Sequence, residues 1–224
     1  MPEYGLIIFD NDGVLSDSEK TGCEIWVEEL QKNGIQITFE DFVSNYNGQK
    51  AETVLAVLER RFGKKIPAGF VSAVEDETER RMRESLLPVK GVLETLPLLR
   101  LPMCIASGGR PSRLKTSLSV TGLDRFFTAE NTFSSYLVKN GKPAPDIFLY
   151  AAEKTGFSPT NCLVVEDSVS GIVGAKAAGM TAFGFVGGSH CTPERSTLLK
   201  KAGADFVFDD FTRLPDLLDQ PSSR

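Results

Sequence analysis

The chain has 224 residues, of which 41% are hydrophobic and 25% charged, with a formal net charge of -5 at pH 7. A chain of this size buries a real core without staples, and its acidic balance excludes a basic nucleic-acid-binding surface. Its four cysteines (Cys23, Cys104, Cys162 and Cys191) form no CxxC pair, and no apolar run reaches the ~18 residues of a membrane span. The expectation is a cytoplasmic protein with no membrane and no nucleic-acid partner, no secretion signal, and buried free thiols at Cys104 and Cys162.

Residues 4–9 predict a strand that is apolar on both faces, the pattern of a parallel sheet. It ends abruptly in Asp10-Asn11-Asp12-Gly13, two carboxylates one residue apart. Residues 18–33 predict a helix with Cys23, Trp26, Val27 and Leu30 on one stripe, closed by Asn33-Gly34. Helices follow at 39–46, at 51–62 and, highly charged, at 67–87 before Pro88. Trp26 is expected to anchor the core of this region. Four helices with no strand between them predict a small helical bundle inserted after the first strand. Residues 15–86 carry 14 acids against 10 bases, so most of the excess acid lies there.

From Gly91 the pattern alternates. A helix at 91–99 leads to a strand at 103–106, which ends in Ser107-Gly108-Gly109. Pro111 opens a helix over 111–120, as a proline in the first helical position should. A short strand is expected at 126–129, then a loop through Gly141-Lys142-Pro143 and a helix at 146–155. The apolar strand 162–165 ends in Glu166-Asp167-Ser168 before a helix at 169–178. A strand at 181–186, a helix at 193–202, a strand at 206–208 and a helix at 211–219 complete the chain. Such alternation implies βαβ units and a parallel sheet. The predicted division is an α/β core of residues 1–14 and 88–224 with a helical cap of residues 15–87.

Polar clusters therefore follow four strands: Asp10/Asp12, Ser107-Gly108, Lys142 and Glu166/Asp167. Each alone has a structural explanation as a turn, a loop, a solvated lysine or a helix cap. Together, at the carboxyl ends of adjacent strands, they converge on one crevice. Several carboxylates in one cleft repel unless a cation holds them, and oxygen donors without clustered His or Cys favour Mg²⁺. A cation, a lysine and a hydroxyl can hold a phosphate while one carboxylate attacks phosphorus and a second moves the leaving-group proton.

These residues resemble the haloacid dehalogenase-like (HAD) hydrolase superfamily. Asp10-Asn11-Asp12-Gly13-Val14-Leu15-Ser16-Asp17-Ser18 is similar to its first motif, Ser107 to the second, Lys142-Pro143-Ala144-Pro145-Asp146 to the third, and Glu166-Asp167-Ser168-Val169-Ser170-Gly171 to the fourth. The resemblance covers nearly the whole chain. It implies a Rossmann-like core with an inserted four-helix cap. It implies Asp10 as nucleophile and Mg²⁺ ligand, and Asp12 as general acid/base whose backbone carbonyl also binds the metal. It implies Ser107, the Gly108 amide and Lys142 as phosphoryl holders, Asp167 as metal ligand, and Glu166 beside it as ligand or support.

Members without an acid at the position of Asp12 cleave carbon–halogen or carbon–phosphorus bonds, so the resemblance points to phosphoryl transfer onto oxygen. A Mg²⁺-dependent phosphatase on a small phosphorylated metabolite is expected, similar to 6-phosphogluconate phosphatase-like and sugar-phosphate phosphatases. The alternative is a β-phosphoglucomutase-like mutase. Those members carry an arginine three residues after a cap glycine, where Asn47-Gly48-Gln49-Lys50-Ala51 has alanine. Lys50 and Asp17 are further candidates to meet the substrate. Arg110 and Arg113 are expected to begin a solvated helix face, and His190 to lie on the surface of a glycine-rich loop. The protein is expected to act as a monomer or homodimer.

Overall fold

The computed structural model describes residues 4–47, 49 and 51–219. Six parallel strands form one sheet: β1 (Leu6–Phe9), β2 (Met103–Ser107), β3 (Thr132–Ser134), β4 (Cys162–Glu166), β5 (Thr181–Phe185) and β6 (Phe206–Phe208). Their order is β3-β2-β1-β4-β5-β6. The chain builds outward from β1 to β3, returns, and builds outward the other way from β4 to β6. β1 and β4 thus flank the point where the winding reverses, which is where open α/β sheets bind ligands. Ile8 pairs with Cys104 on one side and Val164 on the other.

The apolar runs explain the central position. Leu6, Ile7, Ile8 and Phe9 are all fully buried, because alternate residues serve opposite faces. Ile7 and Phe9 pack with Ile105, Leu163 and Val165 beneath α5 (Val92–Thr95), α6 (Pro111–Thr121) and α10 (Leu214–Asp219). Leu6 and Ile8 pack with Cys104, Ala106 and Val164 beneath α7 (Asp146–Thr155), α8 (Val169–Ala177) and α9 (Arg195–Lys201). The sheet is therefore covered by helices on both faces.

A third apolar cluster is separate from these two. It is built by α1 (Glu19–Lys32), α2 (Phe39–Asn45), α3 (Ala51–Phe62) and α4 (Phe70–Ser85). Trp26 packs within it, stacked on Phe42 at 5.5 Å and edge-on to Phe70 at 5.3 Å. The segments on either side of this bundle run side by side. Asp17 N–H donates to Leu87 O and Val89 N–H donates to Leu15 O, each at 3.0 Å.

Some elements depart from the sequence-based expectation. β3 is Thr132–Ser134, not 126–129. Phe127, which suggested the earlier strand, is buried edge-on against Phe9 from the loop after a short 3-10 turn. The real strand is short, partly polar and at the sheet edge, so it carries no apolar run to announce it. Helix α4 begins at Phe70 rather than at 67, and α5 tightens into a 3-10 turn at Leu96–Leu98, where Pro97 interrupts it.

Candidate active site

Residues from four of the strand ends meet in one cleft of about 650 Å³. Asp10 leaves the end of β1 and accepts a 2.8 Å bond from Lys142 Nζ. The same ammonium donates to Glu166 Oε1 at 2.6 Å and sits over the Phe148 ring. Lys142 thus ties the loop before α7 to the ends of β1 and β4. Burial works against its charge, but Asp10 and Glu166 hold it protonated, above its ordinary range. Burial, with the nearby Glu166, Asp167 and Asp12 charges, pushes Asp10 well above the usual carboxylate range in spite of Lys142.

Glu166 is fully buried under the start of α8. Its Oε2 accepts from Ser168 N–H and Oγ–H, both at 2.8 Å, while Ser168 Oγ caps the helix by accepting from Gly171 N–H at 3.0 Å. A β-carbon on Gly171 would stand 1.8 Å from Glu166 Oε1, so the glycine leaves the room the carboxylate occupies. Glu166-Asp167-Ser168 is accordingly both a helix cap and part of the cleft.

Asp12 faces a different partner. Arg113 Nη2 donates to its Oδ1 at 2.8 Å, and Ser18 Oγ–H donates to the same oxygen. Burial alone would raise Asp12, but the guanidinium and the hydroxyl outweigh it and hold the carboxyl below its ordinary range. Ser107 ends β2 fully buried, its Oγ accepting from Gly109 N–H at 3.0 Å. Gly108 lines the cleft.

One oxygen of each of Asp10, Glu166 and Asp167 lies within 4.8 Å of the others, and all three residues are buried. Three carboxylates face one lysine and one histidine there. That hard-oxygen set with excess negative charge fits a divalent cation such as Mg²⁺.

Several residues stand elsewhere than expected. Arg113 is not on a solvated face: it lies in the first turn of α6, which points it back toward the end of β1 and Asp12. His190 is not on the surface. Its side chain is 0% exposed and its Nε2 lies 2.8 Å from Asp167 Oδ2. Burial opposes its charge, but the bond to Asp167 pushes it up to about 10. Its signal in the sequence was position alone, since it follows a strand end just as the other clusters do. Asp17 turns to the loop before His190, where its Oδ1 accepts from Ser189 N–H at 3.0 Å and Ser189 Oγ–H at 2.8 Å. Lys50 lies outside the described residues, whereas its neighbour Gln49 lines the cleft with Glu19 and Glu75. Arg110 reaches across to α4, 3.0 Å from Glu75 and 3.2 Å from Asp76.

No helix among the described residues is long and apolar enough to cross a membrane. Comparison with known proteins agrees with the cleft. The chain is 32% identical over 187 residues to the fructose-1-phosphate phosphatase YqaB of Escherichia coli, covering 80% of this chain and 95% of that protein. It is 27% identical over 194 residues to the 6-phosphogluconate phosphatase of the same organism, covering 86% and 87%. A crystal structure of a conserved haloacid dehalogenase-like protein of unknown function from Agrobacterium tumefaciens superposes with a TM-score of 0.89 at 35% identity, covering 96% of this chain and 97% of that one. The family model for haloacid dehalogenase-like hydrolases matches residues 4–179, and the chain belongs to that family.

Proposed function

We propose that this protein is a phosphatase that hydrolyses a small phosphorylated metabolite, a sugar phosphate or a phospho-sugar acid, through an aspartyl-phosphate intermediate. The observation that carries this reading is the meeting of Asp10, Asp12, Gly108, Lys142 and Asp167 in one cleft from four strand ends, with Ser107 buried at the end of β2 beside them. Relatives named for fructose 1-phosphate and 6-phosphogluconate support the substrate class. The helical bundle of residues 15–87 serves as a cap over the α/β core of residues 1–14 and 88–224, and supplies the wall that meets the leaving group.

In this reading Asp10 attacks phosphorus, and the P–O bond to the leaving group breaks. Asp12 delivers a proton to that oxygen, then takes one from the water that cleaves the aspartyl-phosphate. Ser107, the Gly108 amide and Lys142 hold the phosphoryl oxygens. Asp10, Asp167 and the backbone carbonyl of Asp12 would hold Mg²⁺, with Glu166 supporting them through Lys142. The ion supplies charge neutralisation for the phosphoryl oxygens. The mutase alternative calls for a grip on a second phosphate, and Ala51 stands where the mutase-like members carry that arginine.

The test is phosphate release from a generic aryl phosphate and from a panel of sugar phosphates, with and without Mg²⁺. Release is expected to require Mg²⁺, to cease on chelation, and to be lost in Asp10→Asn. Full activity in that variant would refute the nucleophile assignment. Conversion of a hexose 1-phosphate to its 6-phosphate with a bisphosphate activator would favour the mutase.

A further inference from the structure

We infer that His190 is a positioning residue for Asp167, seating that carboxylate for a divalent cation; this rests on the cation assignment proposed above. His190 reaches Asp167 from a fifth strand end, through Val186-Gly187-Gly188-Ser189 after β5. Its ring is enclosed, and its Nε2–H donates to Asp167 Oδ2 at 2.8 Å. Its Nδ1 is buried without a hydrogen-bond partner among the described residues, and Cys191 Sγ stands 3.5 Å from the same Nε2. The ring's one strong bond is therefore the one to Asp167.

The surroundings are shaped for that contact. A β-carbon on Gly13 would stand 2.3 Å from Asp167 Oδ2 and 2.8 Å from His190 Cε1. One on Gly188 would stand 2.7 Å from His190 Cε1 and 2.9 Å from Gly13 O. Side chains at either position would displace the ring or the carboxylate. The loop is tethered as well, since Ser189 donates twice to Asp17 in the segment that follows the first motif.

A carboxylate on a short side chain turns about its last torsion, and a donor on one oxygen fixes it. Asp167 Oδ1 accepts no side-chain hydrogen bond among the described residues and remains for the cation. Partners behind a metal ligand typically change metal affinity by about 10- to 100-fold. His190 makes no hydrogen bond to Asp10, Ser107 or Lys142, so its effect passes through Asp167.

The test is calorimetric Mg²⁺ binding to the wild type, His190→Gln, His190→Asn and Asp167→Asn, with metal-free thermal melting as the folding control. Gln carries an amide nitrogen to the place of Nε2, whereas Asn carries its nitrogen nearer the place of Nδ1; both are neutral, so the two are compared with each other. Asn is expected to bind Mg²⁺ about 10- to 100-fold more weakly than Gln. Asn binding as tightly as Gln overturns the inference. Should the Asn variant melt below the assay temperature, Gly188→Ala takes its place: the ring is kept but displaced, and the same loss is expected. Wild-type affinity in Gly188→Ala likewise overturns the inference. Unchanged affinity in Asp167→Asn would instead refute the cation assignment on which it rests.

Discussion

The carboxylates in the cleft have different partners, and that difference separates their work. Asp10 shares Lys142 with Glu166, so neither acid owns the ammonium. Asp12 has Arg113 to itself. The acid–base role proposed for Asp12 needs a carboxylate in a defined position, and the guanidinium supplies it. Arg113→Met is therefore expected to lower kcat/KM by about 10²-fold, the lower end of a general acid–base contribution. Because Arg113 forms no hydrogen bond or ion pair with Asp10, Glu166 or Asp167, Mg²⁺ affinity should change far less than kcat/KM. Steady-state kinetics beside a metal titration would check both parts, and an unaltered kcat/KM would show the ion pair to be incidental.

Among the elements, α6 has two duties. Its first turn sends Arg113 to Asp12, while Arg110, Ser112 and Thr116 face α4. Ser112 Oγ–H and Thr116 Oγ1–H each donate to Glu79 at 3.1 Å. Arg110 meets Glu75 and Asp76 in a half-exposed setting, where ion pairs contribute about 0–1 kcal/mol. Contacts of that size hold the helical bundle against the sheet without locking it, as the cap role proposed above requires. Glu79→Ala is expected to leave thermal stability within about 1 kcal/mol. It should raise KM for a sugar phosphate about fivefold, the equivalent of ~1 kcal/mol of closure. A melting curve and a KM measurement decide; a large stability loss with unchanged KM would contradict the assigned role.

Across the whole molecule, apolar burial falls into three clusters, two against the sheet and one within the helical bundle. Phe9 sits in the middle of the sheet, in contact with Phe127 and Phe211. Leu58 lies at the centre of the bundle, fully buried. Phe9→Ala is expected to cost about 3–5 kcal/mol and Leu58→Ala about 2–5 kcal/mol. Since the bundle has an apolar cluster of its own, Leu58→Ala should produce a separate early unfolding step while Phe9→Ala shifts the main one. Denaturant titration followed by Trp26 fluorescence, which reports on the bundle, and by far-UV circular dichroism distinguishes these outcomes. Coincident transitions in both variants would mean that the bundle has no stability of its own.

The alternation of strands and helices, the inserted bundle, and the acids, serine and lysine at four strand ends are all legible in the amino-acid order. Those features are local: a strand buried on both faces must be an apolar run, and a helix must repeat its apolar stripe at its own period. The place of β3 at 132–134, the pairing of Arg113 with Asp12 and that of His190 with Asp167 emerge from the folded chain alone. Arg113 and Asp12 are 101 residues apart, and their meeting depends on how α6 leaves the sheet. His190 reads locally as a residue in a glycine-rich loop, and only the packing of that loop over the ends of β1 and β4 buries it. Periodicity is set by the backbone within a few residues, whereas a charged side chain's partner is set by elements that folding brings together from far along the chain.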